Sequence, residues 1–243
     1  MMVMRKILSC IFILSCMFVG APAVADDAIS RDTSDPLYMQ GHKEILSKST
    51  LTFWDNILRA GQDLSYGIND RLTLGANIHY QLDFDGDEDG FSAADFGGVY
   101  RLARADDNDA RMVTDALFGL RLGGSSHVRT PYFADSTYYA GLRFGRQWEQ
   151  FTLAGTIKSS WIFDDTRGMS YIDMTPEAYF RIAPDMRIGL DFTWRKATNP
   201  DYNQEWLGAK FVRQYGHTQY VGHIDYEFES DDFQVGAQVN ILF

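Results

Sequence analysis

An all-β protein, a transmembrane antiparallel β-barrel of twelve strands, is predicted by three features of this 243-residue chain. Its segments alternate apolar and polar residues along their whole length, the period of a strand with one oily and one polar face. The oily faces carry Trp148, Trp161, Trp194, Phe163, Phe228 and Phe233 near segment ends, as the girdles at two membrane interfaces require. After the first residues nothing approaches the length of a transmembrane helix, so oily faces that find no core must meet lipid as strands. A closed barrel is the sheet that leaves no backbone unpaired there.

The chain opens with an export signal over residues 1–25. Arg5 and Lys6 precede a largely apolar run from Ile7 to Gly20, and Ala23-Val24-Ala25 is a small-x-small cleavage site. The run is shorter than a membrane anchor needs. A lipoprotein reading at Cys16 is the alternative, but Leu14 suits it poorly and the cleavage site lies downstream. Both cysteines, Cys10 and Cys16, leave with the signal, so no disulfide or thiolate site is expected in the mature protein. Twenty basic residues then face 33 acidic ones, a net charge near −13 that argues against nucleic acid as a partner.

Residues 26–42 are polar, with a turn at Asp35-Pro36, and are expected to form a periplasmic lead-in to a barrel spanning 43–243. The strands follow in order. Glu44 to Phe53 is weakly patterned, Leu58 to Ile68 is clear, and Arg71 to Phe84 places Leu72, Leu74, Ala76, Ile78, Tyr80, Leu82 and Phe84 on one face. Ser92 to Ala103, Met112 to Leu122, Tyr138 to Trp148 and Phe151 to Phe163 repeat the rhythm, as do Ser170 to Ile182 and Ile188 to Trp194. In Gln204 to Arg213 either face could be the oily one; Thr218 to Phe228 and Phe233 to Phe243 complete the twelve.

Short connections at Asn69-Asp70, near Ala105 to Ala110, and at Gln147 to Gln150, Ala183 to Met186 and Gln214 to Gly216 alternate with mostly longer ones. Outer-membrane barrels sort short turns to the periplasm and long loops outside. The connections near Asp55-Asn56 and Glu229 to Asp232 are short outer ones, so the sorting is partial. Pro176 within a strand predicts a local ladder defect. A secreted sandwich, the soluble alternative, would need polar outward faces.

With its cleavable signal, alternating strands throughout and a last strand ending in Phe243, the chain resembles the outer-membrane β-barrel proteins of Gram-negative bacteria. That resemblance implies a location in outer-membrane lipid and insertion by the barrel-assembly machinery. The machinery would read the last strand, here Phe233, Val235, Val239, Ile241 and Phe243.

If oily residues face lipid, their neighbours face the lumen. The predicted lining is Arg59, Asp63, Asp95, Arg101, Asp115, Arg121, Arg143, Lys158, Asp173, Glu177, Arg181, Asp191 and Asp225, nearly balanced in charge. Such a wall is either wet or ion-paired. The expected function is therefore a narrow, porin-like channel for passive passage of small polar solutes, with no cofactor; the alternative is a structural or adhesive barrel with a closed, salt-bridged lumen. Asp85, Asp87 and Asp89 with Gly90 match the first half of a calcium loop, but Phe96 stands where the closing glutamate belongs, so no metal is expected. A rim-active hydrolase is the third reading. His223 with Asp225, or His79 with Asp83, could supply a base, but no nucleophile stands in a hydrolase spacing and the protein is expected not to be an enzyme. His42, His127 and His217 are scattered and give no sign of converging on a metal.

Overall fold

The computed structural model describes residues 32–86, 89–107, 110–124, 136–163, 170–197 and 202–243. The expected signal, Cys16, Asp87 and His127 lie outside them. Twelve strands follow one another: β1 Ile45–Trp54, β2 Ile57–Asn69, β3 Leu72–Asp83, β4 Gly90–Asp107, β5 Ala110–Gly123, β6 Thr137–Trp148, β7 Phe151–Ile162, β8 Ser170–Ala183, β9 Met186–Ala197, β10 Tyr202–Tyr215, β11 Thr218–Glu227 and β12 Asp232–Leu242. Each pairs antiparallel with its chain neighbours, and β1 pairs with β12 to close the cylinder.

Burial is inverted relative to a soluble domain. Leu64, Met112, Tyr215 and Phe233 are more than half exposed, whereas Gln81, Asp115 and Asn240 have no exposed surface. Polar groups inside and oily ones outside are stable only where the outer solvent is hydrocarbon. Aromatic rings gather at both ends of the wall. Trp148, Phe151 and Phe180 stack at the end where the chain terminates. Tyr138 with Trp161 and Phe163, and Tyr226 with Phe228 and Phe233, lie at the opposite end.

The two weakly patterned strands show why alternation faltered. On the outer face of β1, Ser47 and Ser49 both bond to Gln62 of β2, so their polar atoms are satisfied among themselves, as lipid demands. In β10 the outward set is Leu207, Phe211 and Tyr215, and Val212 is buried inward between polar Gln204 and Gln214. Strand β4 also runs past the expected connection after Ala103, to Asp107. A register shift between Arg101 and Ala103 inserts one residue and reverses the parity, which hides the continuation from a period-two reading.

Pro176 sits where expected of a ladder defect. The β8–β9 pairing runs to Met174–Trp194 and resumes at Glu177–Asp191 in the same register, skipping Thr175 and Pro176. The Thr175 and Thr193 hydroxyls, 3.0 Å apart, bridge the gap. The short β1–β2 connection is a two-residue turn in which Asp55 and Asn56 both have positive φ, matching the twist of a tight hairpin. At closure, Phe243 and Ile45 exchange two backbone hydrogen bonds of 2.8 and 3.1 Å.

Candidate functional site

Alternation decides which side chains point inward, and strand register then decides which of them meet. Asp115 on β5 is fully buried between two cations: Arg101 on β4 donates from Nε and Nη2 to its two oxygens at 2.8 and 3.2 Å, and Arg143 on β6 donates from Nη2 at 2.6 Å. Arg121 forms a fork on Asp95, at 2.6 and 3.3 Å. Asp173 takes Arg195 at 2.5 Å and Lys158 at 3.3 Å. Planar guanidinium groups on carboxylates in this geometry are strong, charge-assisted pairs.

Other expected lining residues are placed differently. Glu177 meets Lys210 at 3.5 Å, while Arg181 lies at the far end, lining a second chamber of about 420 Å³ with Asp32 and Arg111. The guanidinium of Arg59 stacks over Trp54 at 4.4 Å. Lys48, Asp63, Asp191 and Asp225 line the main cavity, of about 730 Å³. Gly208 leaves space for the last two: a Cβ there would lie 2.6 to 2.7 Å from oxygens of Asp191 and Asp225. Gly119 does the same for Tyr139, whose ring would sit 2.5 Å from a Cβ at that point. That ring lies beneath the Lys158 ammonium, 5.5 Å away.

The floor of the cavity is formed by the segment that leads into β1. Residues 32–40 run inside the cylinder at the end where the chain terminates, with Ser34, Pro36 and Tyr38 facing the cavity. Asp32 accepts hydrogen bonds from Arg187 Nε at 2.6 Å and from Tyr179 Oη and Gln219 Nε2, both at 2.9 Å. Asp35 accepts from Thr152, Gln147 and the Leu37 amide. Leu37 is buried against Val113 and Ala154. Gly67 gives the segment its exit, because a side chain there would collide with the Gly41 carbonyl. None of Asp32, Asp35, Lys48 and Lys210 is in the predicted lining. The lysines sit on the two strands with ambiguous faces, and Asp32 and Asp35 lie in a stretch whose only sequence signals are polarity and a turn.

The His223–Asp225 pair is not assembled for proton transfer. His223 Nε2 is 3.9 Å from Asp225, beyond hydrogen-bond reach, and 3.5 Å from the Thr52 hydroxyl. His79 lies against Gly61. In the acidic loop Asp83 accepts from the amides of Asp85 and Gly86, and Asp85 accepts from Asn56, so these carboxylates organise the turn. Among the described residues no three His, Cys, Asp or Glu side chains converge on a metal-sized point.

No family model and no curated protein matches the chain. Solved structures do. The KdgM porin aligns with a TM-score of 0.62 at 12% identity over 81% of this chain and 98% of that one. The NanC porin aligns at 0.59 and 8% over 82% and 98%. An outer-membrane channel of the COG4313 group from Pseudomonas putida F1 aligns at 0.57 and 10% over 90% and 100%. The alignments span nearly the whole of each of those proteins, and at these identities they establish that this chain has the fold of the outer-membrane porins.

Proposed function

We propose that the protein is a porin-like channel of the outer membrane, for passive passage of small polar solutes along a charged lumen. One observation carries this reading. Lys48, Asp63 and Asp191 face the 730 Å³ cavity, and among the described residues none of the three side chains makes an ion pair or hydrogen bond. Lys48 stands level with Asp63 across β1 and β2, and water in the lumen would solvate all three groups at their openings onto the cavity, which supports a wet bore. The oily outer wall with aromatic belts supports a place in lipid, and the mutual pairing of Phe243 with Ile45 suits a terminal strand that the assembly machinery would engage. Of the predicted lining, Asp95 with Arg121 and Asp173 with Lys158 would set the field that solutes meet.

A second reading, a structural or adhesive barrel with a closed lumen, is favoured by residues 32–40 lying across the bore. Recording in planar bilayers separates the two. Unitary currents whose ion selectivity changes on Arg121→Glu support the channel. A correctly folded barrel that stays silent both with and without residues 32–38 supports the closed alternative.

A further inference from the structure

The contacts of residues 32–38 divide unevenly between wall and segment. Most donors belong to the wall, although the Thr33 and Ser34 hydroxyls donate to Gln219, and the wall cations meet chiefly acceptors of the segment and two wall carboxylates, with Arg187 also reaching the Pro184 carbonyl. Arg187, Tyr179 and Gln219, from β9, β8 and β11, converge on the Asp32 carboxylate, and the Arg187 side chain is only 2% exposed. Arg101 also donates to the Leu37 carbonyl at 3.0 Å, Arg143 to the Tyr38 carbonyl at 3.3 Å and Lys210 to the Ser34 carbonyl at 3.3 Å. Among the described residues, the wall carboxylates in ion pairs with these four cations are Asp115 and Glu177. The segment's own Asp32 and Asp35 make up the difference.

Higher in the lumen the balance differs. Arg121 is matched by Asp95, and Lys158 and Arg195 share Asp173. Lys48 there faces a cavity also lined by Asp63, Asp191 and Asp225. Around residues 32–38, Arg187, Arg101, Arg143 and Lys210 all spend hydrogen bonds on acceptors of the segment. Four cations facing a narrow bore attract a carboxylate that can reach them.

We infer that residues 32–38 are a tethered surrogate ligand: the Asp32 carboxylate and the neighbouring backbone carbonyls fill a wall site for carboxylate-bearing solutes, and the bore opens when that segment leaves. The inference rests on the channel reading and adds the class of solute and the element that competes with it. Its physical basis is exchange: a carboxylate arriving at Arg187, Tyr179 and Gln219 supplies the acceptors that Asp32 supplied, so these three donors stay satisfied when the segment is displaced.

The full-length chain carrying Asp32→Lys tests this, because a second cation beside Arg187 repels the segment while leaving β1–β12 untouched. In planar bilayers the wild type should dwell mostly in a low-conductance state, and Asp32→Lys should raise mean conductance severalfold. In a potassium chloride gradient the zero-current potential of the variant should move toward that of chloride, and adding Arg143→Gln should reverse part of that shift. Succinate on the side of the chain's C-terminus should shorten closed dwells of the wild type, whereas its neutral diamide should not. A synthetic peptide of residues 32–38 should close a barrel from which those residues are deleted, and the same peptide with asparagine at the Asp32 position should close it more weakly. Equal conductance of wild type and Asp32→Lys overturns the surrogate-ligand inference and leaves the channel standing. An open but cation-selective variant, or one indifferent to Arg143→Gln, overturns the assignment of the ring to carboxylates. Folded protein that is silent in every form overturns the channel reading and this inference with it.

Discussion

Asp115 has no solvent contact and holds two guanidinium groups that each also bind the backbone of the lead-in segment. Replacing it by Asn removes the charge that compensates Arg101 and Arg143 but keeps the volume. Breaking one side of a buried ion network costs about 3–5 kcal/mol. We therefore expect Asp115→Asn to lower the denaturant midpoint of the barrel in lipid vesicles, while Arg104→Gln, whose pair with Asp106 is exposed, leaves it unchanged within error. Asp35 makes a second prediction at this scale. Burial holds its carboxyl above the ordinary value of 3.8, outweighing the pull of Thr152, Leu37 and Gln147, and Asp32 beside it acts in the same direction as burial. The surrounding charges are Arg187 on β9 and, around the chamber below, Asp106, Arg111, Glu149 and Arg181. Because the value in the seated state is the raised one, this group's contribution to seating is complete below pH 3.8 and is lost as pH rises through the raised value. Closed dwell times in bilayers should therefore shorten from acid toward neutral pH, and Asp35→Asn should flatten that profile. An unchanged profile in Asp35→Asn would assign the effect to another group.

Among the elements, the last strand has the most exposed role in closure. Phe243 contributes both backbone hydrogen bonds that join the chain's end to Ile45, and the Leu242 amide donates to the His217 carbonyl. Deleting Phe243 removes the first pair and one ring from the oily face. The expected outcome is a several-fold fall in the yield of heat-modifiable barrel in outer membranes, with refolding of urea-unfolded protein in detergent less affected; equal loss in both would point to stability rather than assembly. The elements also show where period-two reading reaches its limit. Arg71 to Phe84 and Phe151 to Phe163 were legible because apolar residues recur at every second position in the first and at five of seven such positions in the second, Gly155 and Ser159 being the exceptions. Strand β1 was faint because Ser47 and Ser49 face outward in a triad with Gln62, a solution that depends on a neighbour. The end of β4 was invisible because one bulged residue exchanges the two faces.

For the whole molecule, the outward apolar belt is what a lipid environment would test. Ile157 on β7 is 42% exposed and lies midway between the two aromatic belts. Ile157→Arg should destabilise the barrel by about 2–4 kcal/mol in phospholipid vesicles, the depth-dependent cost of a midplane charge. A cost near zero would mean that this face meets water. Strand number, the sidedness of most strand residues and the charged lumen were open to sequence reading because alternation is local: where no bulge intervenes, a residue's side follows from its neighbours in the chain. Chain order alone set Arg101, Asp115, Arg143, Asp173 and Glu177 on the inner face. Which charges meet was beyond it. Asp173 takes Arg195 and Lys158 because antiparallel register places those residues level with one another, whereas Glu177 on β8 reaches Lys210 on β10 across the intervening β9. The docking of Asp32 among Arg187, Tyr179 and Gln219 joins residues at least 147 positions apart. No periodicity encodes such a meeting; it exists only once closure of the cylinder brings β8, β9 and β11 around the entering chain.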